Sequence, residues 1–287
     1  MKSVKIVDCT LREGGYLNNW EFGKEFCLDF ISKLSKAKVE HIEVGFLKDG
    51  NFGENQTLFN QIEDINKIIP NDNTSKICAM IMVDEFDINK IIPKNKDIKL
   101  DCIRVGFKKY QIDKIDSYIN KAKECGYEVF VNPTYIDEYN DLELIELFEK
   151  INKYEPNFIS LVDTNGFLKE KDIARIIYLM KEYFFENIYF CFHLHNNLYR
   201  AFENVKVAIK ETLNKRAFVI DATILGMGRG VGNLQSELIC SYLNENCDKN
   251  YNLKLILELL DEKIYPYFLK KPWGNPSLYF LSELENN

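Results

Sequence analysis

Ile188-Tyr189-Phe190-Cys191-Phe192-His193-Leu194-His195-Asn196-Asn197 couples an apolar run to two histidines one residue apart. In an extended strand, side chains two apart share a face, so both imidazoles aim the same way. Two asparagines follow at once, and a segment of helical spacing (Val205, Ala208, Ile209) begins behind them. The rings therefore stand at the carboxyl end of a strand, where α/β proteins place their chemistry. Two neutral imidazoles side by side suit a divalent cation. The plain alternative is a polar pair at a strand mouth, satisfied by hydrogen bonds.

Working outward, short β-branched and aromatic runs alternate with helix-length segments eight times. The predicted strands cover 4–10, 41–47, 76–83, 102–107, 128–135, 158–163, 188–195 and 217–224. Between them Phe22, Phe26, Phe30 and Leu34 recur four apart, and Leu58, Ile62, Ile65 and Ile69 three or four apart. Ile112, Ile115 and Ile119 open another such face, as do Ile173, Ile176 and Ile177. Strands this apolar, separated by helices, read as a parallel sheet covered on both sides. Eight such units close into a (β/α)8 TIM barrel, with an open doubly wound sheet as the alternative. The 287 residues divide into a barrel, 1–248, and a C-terminal helical extension, 249–287. That extension carries a helix over 253–263 and an aromatic, proline-rich end around Pro266, Pro272, Trp273 and Pro276, expected to cover the barrel or contact a second subunit.

Forty-four acidic residues against 37 Lys and Arg give a net charge of −7. That argues against a nucleic-acid surface, which needs basic residues to neutralise phosphates. The eight cysteines are scattered, without a C-x-x-C pair. They read as free, mostly buried thiols of a cytoplasmic protein. The first strand begins by residue 4, so no signal segment is expected, and no apolar run approaches the ~20 residues of a membrane span.

Barrel closure makes the seventh, eighth, first and second strands neighbours, ~4.8 Å apart at each step. The polar clusters fall on that arc. Strand one ends in Asp8-Cys9-Thr10-Leu11-Arg12-Glu13-Gly14-Gly15, and strand two carries Glu43-Val44-Gly45. Strand eight runs from Asp221-Ala222-Thr223 into Gly226-Met227-Gly228-Arg229-Gly230-Val231-Gly232-Asn233. A carboxylate beside two imidazoles completes a three-donor set with open positions, and Glu13 is the carboxylate at the right end of the barrel. The side-chain carbonyl of Asn233 could make a fourth contact. Arg12 would bring a fixed positive charge to an enolate, and Glu43 could hold its guanidinium in a bidentate pair; a rim salt bridge is the plain alternative. The glycine-rich loop could cradle a phosphate, or simply let the backbone approach while presenting Asn233. Thr164, in Asp163-Thr164-Asn165-Gly166, is a substrate-carboxylate ligand or a turn former. Arg104 is a paired core arginine or a substrate ligand. His41 opens strand two, ~13 Å from the mouth, and is given a structural role. No histidine then remains as general base, leaving Tyr16, Glu43, Tyr135 or water to move protons.

Five motifs in order, Asp8 to Gly14, Ile42-Glu43-Val44-Gly45-Phe46, Asp163 to Gly166, His193 to Asn197 and Gly228 to Asn233, resemble the DRE-TIM metallolyases. These include 3-hydroxy-3-methylglutaryl-CoA (HMG-CoA) lyase, isopropylmalate and homocitrate synthases and 4-hydroxy-2-oxovalerate aldolase, and the stretch 193–233 is most similar to the aldolase branch. The resemblance implies a divalent metal on Glu13, His193 and His195, with Asn233 a ligand in some members, Arg12 stabilising an enolate and Glu43 positioning Arg12. It implies a class II-type aldolase joining or separating pyruvate and an aldehyde, with Mn2+ or Mg2+ expected and Co2+ or Zn2+ as alternatives. Where those aldolases carry a histidine soon after the arginine–acid pair, this chain has Gly15 and Tyr16. Strand five lacks the lysine of the related biotin carboxyltransferases. The expected partners are a small 2-oxo acid, an aldehyde and a second copy of the chain, with no nucleic acid and no membrane. The alternatives are a Claisen-type acyl-CoA/2-oxo acid synthase and a catalytically silent binding barrel.

Overall fold

The computed structural model describes residues 4–213, 215–275 and 277. The parallel strands are β1 Val4–Asp8, β2 His41–Leu47, β3 Leu58–Phe59, β4 Lys76–Met82, β5 Cys102–Phe107, β6 Glu128–Pro133, β7 Phe158–Asp163, β8 Tyr189–Leu194 and β9 Phe218–Ala222. The ring β1-β2-β4-β5-β6-β7-β8-β9 closes where β9 pairs with β1, Val4 opposite Phe218 and Asp8 opposite Ala222. Strand β3 adds two residues at the end of β2. The eight expected strands and the closed barrel are thus present, and the open sheet is excluded. The first strand ends at Asp8, not residue 10, because the chain turns directly into a four-residue helix, α1 Thr10–Glu13, followed by α2 Gly15–Asn18.

The remaining helices are α3 Lys24–Lys36, α4 Ile115–Glu124, α5 Asp141–Asn152, α6 Glu170–Tyr183, α7 Ala201–Thr212, α8 Ser236–Asn246, α9 Leu253–Leu259 and α10 Tyr265–Lys270. Each of α3 to α8 turns an apolar face inward, such as Leu144, Leu147, Phe148 and Ile151 of α5. At the start of α5, Asn140 and Glu143 cap each other reciprocally, the side chain of each accepting the other's backbone N–H. The predicted helix over Leu58 to Ile69 is instead β3 and a 3-10 turn, Ile62–Ile68. Its buried residues are Ile62, Ile65 and Ile68, a strict spacing of three that matches three residues per turn rather than 3.6. Between β4 and β5 only the short 3-10 turn Ile88–Lys90 stands in the helix position.

A second core fills the barrel. Val7, Cys9, Cys78, Cys102, Phe130, Phe158, Cys191 and Val219 pack there, with Phe130 and Phe158 stacked at 3.8 Å. All eight cysteines are free and buried. His41 sits at the amino-terminal end, fully buried between the Phe130 and Phe158 edges, with neither ring nitrogen hydrogen-bonded. Burial drives its pKa down to about 3, so it is neutral. At the other end, the C-terminal segment folds back across the loop after β9. Trp273 donates its indole N–H to Leu225 O at 3.0 Å, and Gly274 N donates to Gly230 O at 3.1 Å. Pro276 lies outside the described residues. No described helix is long and apolar enough to cross a membrane.

Register shifts between Glu43 and Phe46 on β2, where Gly45 adopts φ +147. A Cβ there would stand 1.9 Å from Thr57 O, so the close pass of the 50–58 loop requires glycine. Gly45→Ala is expected to lower the stability measured by urea unfolding by about 2–5 kcal/mol, the sum of backbone strain and overpacking; an unchanged midpoint would show that Thr57 yields freely.

Candidate active site

The carboxyl mouth of the barrel opens into a cavity of about 390 Å³. At its floor, α1 delivers Arg12 and Glu13 directly against β8. Glu13 Oε1 lies 3.2 Å from His193 Nε2, and the two histidine Nε2 atoms are 3.2 Å apart. Two donors each ~2.1 Å from one ion and ~100° apart would be separated by ~3.2 Å, so the spacing is that of neighbouring ligands on a single cation. Glu13 Oε2 and Asn233 Oδ1 are buried without hydrogen-bond partners. Unpaired buried oxygens are costly unless something electropositive meets them. Asn233 is held beside His195 by an isolated backbone bridge, while its amide nitrogen donates to Met227 O. These observations fit a divalent ion on Glu13, His193 and His195, with Asn233 as a further donor.

The next layer down fixes the donors. His193 Nδ1 donates to Asp221 Oδ2 at 2.9 Å, leaving Nε2 to face Glu13 and His195. Asp221 also accepts from Arg104, which is wholly buried and donates at its other side to Glu43 Oε2 at 3.2 Å. Glu43 Oε2 in turn accepts from Arg12 Nε at 2.9 Å, while Arg12 Nη1 pairs with Glu13 Oε1. One chain of charge thus runs Glu13–Arg12–Glu43–Arg104–Asp221–His193. The expected bidentate Arg12–Glu43 pair is replaced by one oxygen shared between two guanidinium groups. Arg104 does not line the cavity; it is the paired core arginine, packed over the Phe130 ring at 5.1 Å with Cys9 Sγ at 3.4 Å.

Electrostatics follow from this burial. Desolvation alone would raise Glu13, but Arg12 and His193 outweigh it and hold the carboxyl well below its usual range. Desolvation pulls His193 down, yet hydrogen bonds to Asp221 and Glu13 leave it raised. Burial takes His195 down to about 3, so its ring is neutral.

Tyr16, Tyr135 and Thr164 all line the cavity, whereas Glu43 is sealed beneath it. Thr164 Oγ1 accepts the Tyr135 backbone N–H at 2.8 Å. In the glycine-rich loop four N–H groups go to protein acceptors: Gly226 to Thr223 O, Met227 to Ile224 O, Gly232 to Arg229 O and Val231 to Asn197 Oδ1. Trp20 explains why position 15 is glycine. Its indole lies over Gly15, where a Cβ would come within 2.0 Å, and donates to Arg12 O at 3.0 Å.

Several lining residues were not singled out in the linear sequence. Asn132, with a buried unpartnered Oδ1, is one; it faces inward two residues beyond Phe130 and would be found by following the period-two alternation of β6. Asp221 was visible on the arc but had no assigned partner. Trp20, Lys48, Lys108 and Arg229 come from loops that only the fold brings together.

The HMGL-like family model matches residues 3–262. The chain belongs to the HMGL-like family. This is the DRE-TIM superfamily of aldolases and lyases, as the ordered motifs implied. The chain is 26% identical over 247 residues to 4-hydroxy-2-oxovalerate aldolase of Geobacillus genomosp. 3, a match covering 85% of this chain and 71% of that protein. It is 23% identical over 270 residues to the enzyme of the same name from Bacillus cereus (strain ATCC 10987 / NRS 248), covering 92% and 77%. Among solved structures, the N-terminal domain of a Bacteroides vulgatus protein with a provisional aldolase assignment superposes with a TM-score of 0.82 at 27% identity, covering 98% of this chain and 93% of that one. Bacillus subtilis HMG-CoA lyase shares the fold at 16% identity with a TM-score of 0.73, covering 98% and 99%.

Because Asp221 orients the donor nitrogen of His193, Asp221→Asn in this HMGL-like protein is expected to weaken Mn2+ binding by about 10–100-fold in isothermal titration. Unaltered affinity would mean that the His193 ring is held without it.

Proposed function

We propose that this chain is a divalent-metal-dependent aldolase that cleaves or forms 4-hydroxy-2-oxo acids, with pyruvate and an aldehyde as the other side of the reaction. The observation that carries this reading is the convergence of Glu13, His193 and His195 on one point, with Arg12 beside them at the floor of the cavity. Glu13, His193, His195 and Asn233 Oδ1 would hold the ion. When bound, it supplies a Lewis acid for the carboxylate and keto oxygens of a 2-oxo acid. Mn2+ or Mg2+ suits the mixed carboxylate, amide and imidazole donors, and Co2+ or Zn2+ would also be accepted.

Arg12 places a permanent cation where negative charge develops on the pyruvate-derived enolate oxygen, and Glu43 and Arg104 keep that guanidinium from swinging away. Thr164 and Asn132 offer polar groups to the substrate's carboxylate and hydroxyl. Tyr16 stands in the cavity with its hydroxyl raised above the usual tyrosine value, chiefly by burial, and so stays protonated near neutrality. In synthesis its O–H donates to the oxygen of the new C4 hydroxyl, leaving a tyrosinate beside the Arg229 guanidinium; cleavage starts from that same tyrosinate, the minor form at neutral pH. Glu43 has no route to substrate and does not serve as the base. The similarity to proteins named 4-hydroxy-2-oxovalerate aldolase supports the same class of bond-making.

The test is pyruvate release from a series of 4-hydroxy-2-oxo acids by metal-stripped protein, before and after adding Mn2+, Mg2+, Co2+ or Zn2+. Cleavage should appear only with metal. Arg12→Ala should lower turnover by ~10²–10³ with metal binding retained, the usual cost of removing a group that stabilises developing charge. Tyr16→Phe should lose ~10²-fold or more. Full activity in the stripped enzyme, or retained turnover in Arg12→Ala, would overturn the reading.

A further inference from the structure

We infer that the aldehyde taken by this site carries its own anionic group, a carboxylate or phosphate at the end distant from the carbonyl. The inference rests on the aldolase reading and names the substrate class within it. It follows from the charges that line the cavity. Four cations, Arg12, Lys48, Lys108 and Arg229, face two carboxylates, Glu13 and Glu85. Arg12 is paired with Glu13, and Lys48 with Glu85 at 2.6 Å. Among the described residues Lys108 and Arg229 have no carboxylate partner, and both are exposed at the rim. Arg229 is held over the Tyr16 ring at 4.1 Å, so its guanidinium stays at the cavity edge.

A 2-oxo acid brings one carboxylate, and the floor of the site claims it. The two unpaired rim cations then face whatever is joined to C4, the part that comes from the aldehyde. A neutral short aldehyde would leave both cations unanswered and most of the cavity unfilled. At about 390 Å³ it falls in the ~300–1,000 Å³ range of pockets that enclose whole small molecules. Between floor and rim, Phe52, Met80 and Met82 form one apolar wall, and Asn132 and Thr134 face the cavity as polar groups. A carbon chain bearing a hydroxyl near its middle matches that division, with Asn132 Oδ1 accepting from it. The reaction balances without an oxidant. Pyruvate gives up a methyl proton to water in the cavity, its C3 bonds to the aldehyde carbon, the former carbonyl oxygen takes the Tyr16 proton, and the proton passed to water restores the tyrosine.

Acceptors matched in length separate the cases: glyceraldehyde against glyceraldehyde 3-phosphate, and butanal against succinic semialdehyde, each with pyruvate and Mg2+. The expected result is a kcat/KM at least tenfold higher for an anionic member, and which pair shows it distinguishes phosphate from carboxylate. Arg229→Gln and Lys108→Gln should each reduce that ratio at least threefold. A readout free of turnover is the Kd of 2-oxoadipate against 2-oxohexanoate in the metal-loaded protein, expected to favour the dianion at least tenfold. Solvent deuterium exchange into the pyruvate methyl group keeps the two readings apart. Exchange with no preference for anionic acceptors or for 2-oxoadipate overturns the inference alone. Absence of both exchange and aldehyde consumption removes the aldolase reading, and this inference with it.

Discussion

Arg104 is the constraint on which the site depends. It is wholly buried inside the barrel, and its guanidinium bridges Glu43 on β2 to Asp221 on β9. A cation in that position is expensive, since each buried ion loses several kcal/mol of hydration. Two carboxylates and a face of Phe130 offset the loss. Through Glu43 it sets the height of Arg12, and through Asp221 it sets the ring of His193. Arg12 and the His193 ring are therefore located by one side chain that does not line the cavity.

Such a network is weak support for stability, because well-packed apolar residues of similar volume often do as well. Its value lies in geometry. Arg12 and Glu13 come from α1 and the two histidines from the end of β8, and loops alone would let them drift apart. A rigid bridge across the interior links strands far apart in sequence, and positioning within about 0.5 Å is what charge-stabilising sites demand. The loop and tail contacts complete the frame from above. Trp20 fills the space over Gly15, and Trp273 ties the loop that carries Arg229.

Much of this was legible in the sequence. The period-two spacing of His193 and His195, at the end of an apolar run, implied one face and one end of a strand. Eight strand-length runs implied closure, and closure put Glu13 against those rings. Other features depend on what the linear chain does not display. Arg104 lies in an apolar strand, and no local pattern says that Asp221, 117 residues later, will neutralise it. The segment after β2 offered the spacing Leu58, Ile62, Ile65, Ile69, which fits either helix type until packing selects three residues per turn. Trp20 and the rim cations come from irregular loops, whose paths follow from close backbone passes such as that over Gly45.

One carboxylate and two imidazoles, from positions some 180 residues apart, lie close enough to share a single divalent ion, as proposed. Electron paramagnetic resonance of Mn2+ added to metal-stripped protein tests this most directly. One Mn2+ bound per chain is expected, with a signal that changes on adding pyruvate and binding that is lost when His193 and His195 are both replaced by alanine. A spectrum of free aqueous Mn2+ at stoichiometric protein, or binding undiminished in the double variant, would contradict it.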